Sequence, residues 1–127
     1  MTDQHPADVV SALIEAENAL DVEAAMALFA ADAVVTLPTG VLSTPEQIRE
    51  WQTGLAQGHF HADIGEIKTD GDRASFEGTV GFDPFRSLGI DAMGSLWDVT
   101  VDAGKVSRFT YTFTPDGLAR LQAASTV

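Results

Sequence analysis

The side chains whose type and setting best suit proton transfer are Asp98, Tyr111 and His61. Asp98 and Tyr111 lie in the stretch GSLWDVTVDAGKVSRFTYTFT, residues 94–114, which reads as two long strands joined by a tight turn at Asp102-Ala103-Gly104. Alternation puts Leu96, Asp98 and Thr100 on one face of the first strand, with Trp97, Val99 and Val101 on the other. On the second strand Phe109, Tyr111 and Phe113 share a face opposite Thr110, Thr112 and Thr114. A carboxylate among apolar walls has its pKa raised by desolvation, which suits a general base or a neutral donor. The competing reading leaves Asp98 solvated at the open end of its strand, with no role. Tyr111 can donate to a substrate oxygen, although a buried tyrosine more often satisfies its hydroxyl on a protein group. With both side chains inward, Asp98 and Tyr111 converge as proton acceptor and oxyanion-stabilising donor.

His59 and His61 share a face opposite Phe60 and Ala62. Two histidines at i, i+2 can ligate a metal, but Asp63 is the only local third ligand, so a solvated or interface face is the commoner outcome. The better functional use is one proton-transfer histidine, His61, paired with Asp98 or Asp21. Trp51 falls on the buried stripe of a helix, either as core or as a roof over a cavity. Met26 and Met93 read as gap-fillers, and Asp63, Glu66, Asp70 and Asp72 as a solvated sheet edge and turn. No phosphate-binding glycine pattern occurs. No cofactor and no metal are expected.

The elements that must position these residues follow in order. A first helix opens at Pro6 and buries Val9, Val10, Leu13, Ile14 and Leu20. Asp21 caps a second helix that carries Val22, Ala25, Met26 and Phe29 inward and ends near Ala31-Asp32. Residues 33–37 form a strand stopped by Pro38. Thr44-Pro45-Glu46-Gln47 combines a cap, a first-turn proline and a capping-box glutamine, and opens a helix with Ile48, Trp51 and Leu55 inward that stops at Gly58. Beyond it, residues 59–69 form a strand disturbed at Gly65, Asp70-Gly71-Asp72 a hairpin turn, and 73–82 the next strand. Residues 85–91 are a loop, the central hairpin follows, and 118–124 form a final helical turn or two. Helix, helix, strand, helix and four strands give an α+β fold in which helices cover one face of a curved antiparallel sheet and enclose a cavity.

Length and composition bound the rest. At 127 residues the chain is one domain, 1–127, with 1–5 frayed. Hydrophobic residues make up 45% and charged residues 20%, the mark of a globular chain. A net charge of −12 repels phosphate backbones and anionic membranes, so neither nucleic acid nor a membrane is an expected partner. The absence of cysteine removes disulfides, thiol nucleophiles and thiolate metal sites. MTDQHPAD lacks the features of a signal peptide, and no apolar run reaches the ~20 residues of a membrane span, so a cytoplasmic protein is expected.

The segments Leu28-Phe29-Ala30-Ala31-Asp32-Ala33-Val34-Val35 and Leu37-Pro38-Thr39-Gly40, the helix start at Thr44–Trp51, and Asp102-Ala103-Gly104-Lys105-Val106 carry a resemblance. Over nearly its whole length the chain resembles the nuclear-transport-factor-2-like superfamily, and within it SnoaL-like and ketosteroid-isomerase-like proteins. The resemblance implies a cone-shaped, cystatin-like α+β barrel with about three helices on the concave face. It also implies a small-molecule enzyme of isomerase, cyclase, dehydratase or hydrolase type, or alternatively a non-catalytic ligand-binding or dimerisation domain. Leu13, Leu37 and Leu96 stand where the ketosteroid isomerases place their tyrosine, base and protonated aspartate, so that apparatus is not expected. Gly78, Val80 and Tyr111 stand where limonene-epoxide-hydrolase-like enzymes need an Asp–Arg–Asp arrangement. His59 or His61 with Asp21 match the dehydratase pattern only loosely. The expected substrate-binding set is Leu13, Leu37, Trp51, Phe82, Leu96, Phe109 and Phe113, around a hydrophobic small molecule. The apolar face Trp97, Val99 and Val101 is expected to bury itself in a homodimer.

Overall fold

Helix α1 (Pro6–Asn18) begins at the proline that fits its first turn and presents one apolar stripe, Val9, Val10, Leu13 and Ile14, to the interior. The computed structural model describes residues 6–125, so the expectation for 1–5 lies outside the described residues. Asp21 caps α2 (Val22–Met26), its carboxylate accepting from Ala24 N at 3.1 Å. Strands β1 (Phe29–Leu37) and β2 (Gly40–Leu42) form a short hairpin. Helix α3 (Pro45–Gln57) opens on a complete capping box: Thr44 Oγ1 accepts from Gln47 N at 3.2 Å, and Gln47 Oε1 accepts from Thr44 N at 3.3 Å. Then come β3 (His61–Ile64), β4 (Lys68–Asp70), β5 (Arg73–Gly81), α4 (Asp83–Arg86), β6 (Met93–Asp102), β7 (Lys105–Phe113) and α5 (Pro115–Ser125).

The seven strands make one curved sheet in the order β2-β1-β7-β6-β5-β3, with β4 continuing the β3 edge along β5. The interruption between β3 and β4 falls at Gly65, where the sequence places it. Gly78 of β5 lets that edge come close, since a Cβ there would lie 2.1 Å from the Asp63 carbonyl oxygen. The β6–β7 hairpin turns through Ala103 and Gly104, with φ of 51° and 77°, the two positive values of a type I′ turn.

Four local expectations change. The sheet is mixed, because β1 runs parallel to β7. Helix α2 stops at Met26, and the chain enters β1 at Phe29. The carbonyls of Ala27 and Leu28 are taken by Lys105 Nζ and by Val106 N, which draws this segment into the sheet before the helix can continue. Leu20 leaves the α1 stripe: it adopts φ 59° in the turn to α2 and is 37% exposed. One helical turn, α4, stands in the expected loop at 85–91, opened by Asp83-Pro84.

The faces of the central hairpin are the larger correction. Trp97, Val99 and Val101 are 3%, 0% and 5% exposed within the single chain, on the face that the helices cover. They are not an outer face awaiting a second subunit. Alternation decides which residues share a face but not which face is covered. Register decides that: Trp97 pairs with Tyr111 and Val99 with Phe109, so the Trp97 row and the aromatic row of β7 form one surface. That surface carries far more apolar area than Asp98, Thr100, Thr110 and Thr112, and it takes the interior.

Candidate functional site

The interior is lined by rings. Trp51 of α3 meets Phe29 and Phe109 at centroid distances of 6.2 and 5.3 Å. Along the sheet, Phe76 stacks on Trp97 at 5.0 Å, Trp97 meets Tyr111 at 5.4 Å, and Tyr111 meets Phe113 at 5.6 Å. Phe85 and Phe82 continue the row from Phe113 to Phe60.

Among the described residues three polar or charged side chains are buried, Glu17, Gln52 and Ser95, and with the half-buried Tyr111 they form two hydrogen-bonded pairs, one between helices and one on the sheet. On the helical wall, Gln52 Nε2 donates to Glu17 Oε2 at 2.7 Å. Glu17 is 4% exposed and Gln52 2%. Burial pushes the Glu17 carboxyl up to about 7, partly offset by the Gln52 hydrogen bond, which favours the charged form. A crevice lined by Leu20, Asp21, Val22, Leu55 and Ala56 runs beside the pair and has no room for a water-sized sphere, so the carboxyl is dry. On the sheet wall, Ser95 Oγ lies 2.8 Å from the Tyr111 hydroxyl. Ser95 donates its proton to the Met93 carbonyl at 2.9 Å, which makes Tyr111 the donor in the pair. Burial raises the phenol to about 12, with the Ser95 bond lowering it in part.

The structure separates the three residues singled out for proton chemistry. Asp98 pairs across the sheet with Thr110, and Trp97 with Tyr111, so Asp98 and Tyr111 stand on opposite faces and do not converge. Asp98 is held by Arg73, whose Nε lies 3.4 Å from Oδ1 and whose Nη2 meets Oδ2. It does line a pocket, a groove of about 610 Å³ on the outer face, together with Leu96, Glu77, Lys68 and Thr110. Leu96 is therefore not part of the interior. His61 also faces outward, 3.3 Å from Asp63, with over half of its side chain exposed. His59 bonds Asp83 at 2.7 Å on the surface, so neither histidine reaches Asp21 or Asp98. Leu13, Phe109, Trp51, Leu37, Phe82 and Phe113 belong to the core or pack against it.

Glu17, Gln52 and Ser95 were missed by the sequence reading. A signal for the first two exists: Glu17 falls at i+4 and i+3 from Leu13 and Ile14, and Gln52 at i+4 from Ile48. Each puts a polar side chain into a helical apolar stripe, and two such interruptions on two helices can answer one another.

The family model for the SnoaL-like domain matches residues 10–115. The chain belongs to the SnoaL-like family. Among solved structures, a candidate polyketide cyclase from Sinorhizobium meliloti is similar with a TM-score of 0.74 and 23% identity, over 83% of this chain and 94% of that one. The epoxide hydrolase/cyclase-like enzyme SalBIII of pyran ring formation in salinomycin has a TM-score of 0.76 at 14% identity, over 88% and 92% of the two chains. A ketosteroid-isomerase-like protein from Catenulispora acidiphila, in complex with trimethylamine, has a TM-score of 0.73 at 20% identity, over 92% and 93%. At these identities the likeness is one of fold. No curated protein matches the chain. No helix among the described residues is long and apolar enough to cross a membrane.

Proposed function

We propose that this SnoaL-like protein is a small-molecule enzyme acting on a hydrophobic substrate in the sheet-and-helix interior, with Glu17 as its proton carrier. The observation that carries the reading is the dry Glu17–Gln52 pair. A carboxyl that holds its proton to about pH 7 is matched to both giving and taking a proton at neutral pH. Trp51, Phe82, Phe109 and Phe113, with Leu13 and Leu37, supply apolar surface. A substrate oxygen that displaced Ser95 would accept a hydrogen bond from the Tyr111 hydroxyl, and a phenol at about 12 donates it without ionising. Isomerisation, cyclisation, dehydration and epoxide hydrolysis all need this combination of acid/base group and oxygen-stabilising donor. The cyclase and epoxide hydrolase/cyclase-like structures of the same fold support that range of reactions.

Turnover of a panel of epoxides, enones and polyketide-like ketones at pH 7 tests the reading. Glu17→Gln keeps the shape and the amide bond but removes the titrating group, and is expected to lower kcat by a factor of roughly 10² to 10⁴. Unchanged turnover in Glu17→Gln ends the assignment. A non-catalytic domain whose interior is filled by its own side chains is favoured by one observation, the full burial of Leu13 and Phe109. On that reading none of the panel compounds is turned over.

A further inference from the structure

The helices cover one face of the sheet, and strand register lays out the other face as a grid. One row crosses four strands: Lys68 of β4 pairs with Ser75 of β5, Ser75 with Asp98 of β6, and Asp98 with Thr110 of β7. At the usual strand spacing this row is about 14 Å long. The next row, two residues along, holds Glu77, Leu96 and Thr112. Both rows line the outer groove of about 610 Å³, and Gly65 and Glu66, in the break between β3 and β4, line it too. Such a volume is in the range of small-molecule sites. By contrast, the crevice beside Glu17 has no room for a water-sized sphere.

The chemistry of the grid narrows the occupant. The hydroxyls of Ser75, Thr110 and Thr112 donate and accept, Lys68 only donates, and ionised Glu66 and Glu77 only accept. Donors and acceptors mixed in this way suit ligand hydroxyls, each of which is both. Arg73 engages both carboxylate oxygens of Asp98, so that charge is answered within the chain. Glu66 and Glu77 have no ion-pair partner among the described residues, and they outnumber Lys68 in the groove. With a net charge of −12 behind them they attract a cation and repel phosphates and carboxylates. A metal ion is not that cation: among the described residues no three His, Asp or Glu gather closely enough to hold one. An ammonium carried on a hydroxylated organic frame meets every requirement, with Leu96 as an apolar contact for its C–H groups.

We infer that the outer groove is a binding site for a polyhydroxylated amine of the amino-sugar type, its ammonium on Glu77 and its hydroxyls on Ser75, Thr110 and Thr112. A frame of about two sugar rings matches the length of the row from Lys68 to Thr110. The site lies on the opposite face of the sheet from the aromatic interior and does not rest on the reading of Glu17.

A nitrogen-15 NMR titration of the full chain with two matched sugars tests the site. One is the β-1,4 glucosamine disaccharide at pH 6, where its amines are protonated; the other is cellobiose, which carries hydroxyls in their place. The expected result is saturable shifts at residues 66–68, 75–77, 96–98 and 110–112 with the amine, and binding of cellobiose about fivefold weaker. Glu77 and Thr112 are exposed strand positions, so their variants keep the fold. Glu77→Gln should weaken the amine about fivefold and bring it level with cellobiose. Thr112→Val should weaken both sugars. Absence of saturable shifts, shifts confined to α1 and α3, equal affinity for the two sugars, or an amine affinity untouched by Glu77→Gln overturns the site. So does a homodimer, by sedimentation, in which the groove amides are protected from exchange, since a second copy would then be the occupant.

Discussion

Glu17 is the residue on which the account turns, and its environment makes a stability prediction of definite sign. In the unfolded chain its carboxyl titrates near 4.5, and in the folded chain near 7, so the folded state binds the proton more tightly. Stability from this group is therefore greatest at low pH, is lost as pH rises from about 4.5 through about 7, and is level above that. A shift of that size corresponds to about 3 kcal/mol. Glu17→Gln should remove this slope and leave the variant more stable than wild type at pH 8 but not at pH 4, as measured by denaturant unfolding at the two values. Equal pH dependence in both proteins would contradict the burial argument. Alternation was legible at this scale and depth was not. The pattern grouped Asp98 with Leu96 and Tyr111 with Phe109 correctly, and it did find a pocket for Asp98, but on the outer face, because nothing in one strand's pattern says which side its neighbours will cover. Glu17 was overlooked because a glutamate on a helix defaults to solvent.

Among the elements, those with strong local chemistry were the most readable. The α3 start was legible to the residue, since Thr44 and Gln47 satisfy each other's backbone without help from the rest of the fold. Thr44→Ala should cost about 1 kcal/mol and lower the melting temperature by a few degrees; an unchanged melting curve would mean that the cap contributes nothing. Elements fixed by distant partners were the least readable. Strand β1 gains four residues at its start because β7 runs parallel beside it, reaching Phe29 through Val106. Edge strand β3 is completed by a side chain: the Asn18 amide donates to the Ala62 carbonyl at 2.9 Å and accepts from Ala62 N at 2.7 Å, standing in for a missing neighbour. No local pattern announces such a bond across 44 positions.

For the whole molecule, helix and strand order together with turn chemistry were enough to reach a curved α+β sheet covered by helices, and the SnoaL-like family match agrees. The assignment of faces did not follow. With Trp97, Val99 and Val101 inside, the premise for a dimer through an apolar outer sheet is gone, and the outer face instead bears Asp98, Thr110, Thr112 and a groove. The same inversion moves the chemistry from the sheet's outer carboxylate to the carboxyl of the helical wall. Everything proposed for catalysis then depends on Glu17 holding its proton to neutral pH. The direct measurement is a carbon-13 titration of the Glu17 side-chain carboxyl in the folded protein. The account predicts a midpoint near 7, moved upward in Gln52→Leu. A midpoint near the ordinary 4.5 would mean that water reaches the carboxyl, and would contradict the catalytic reading.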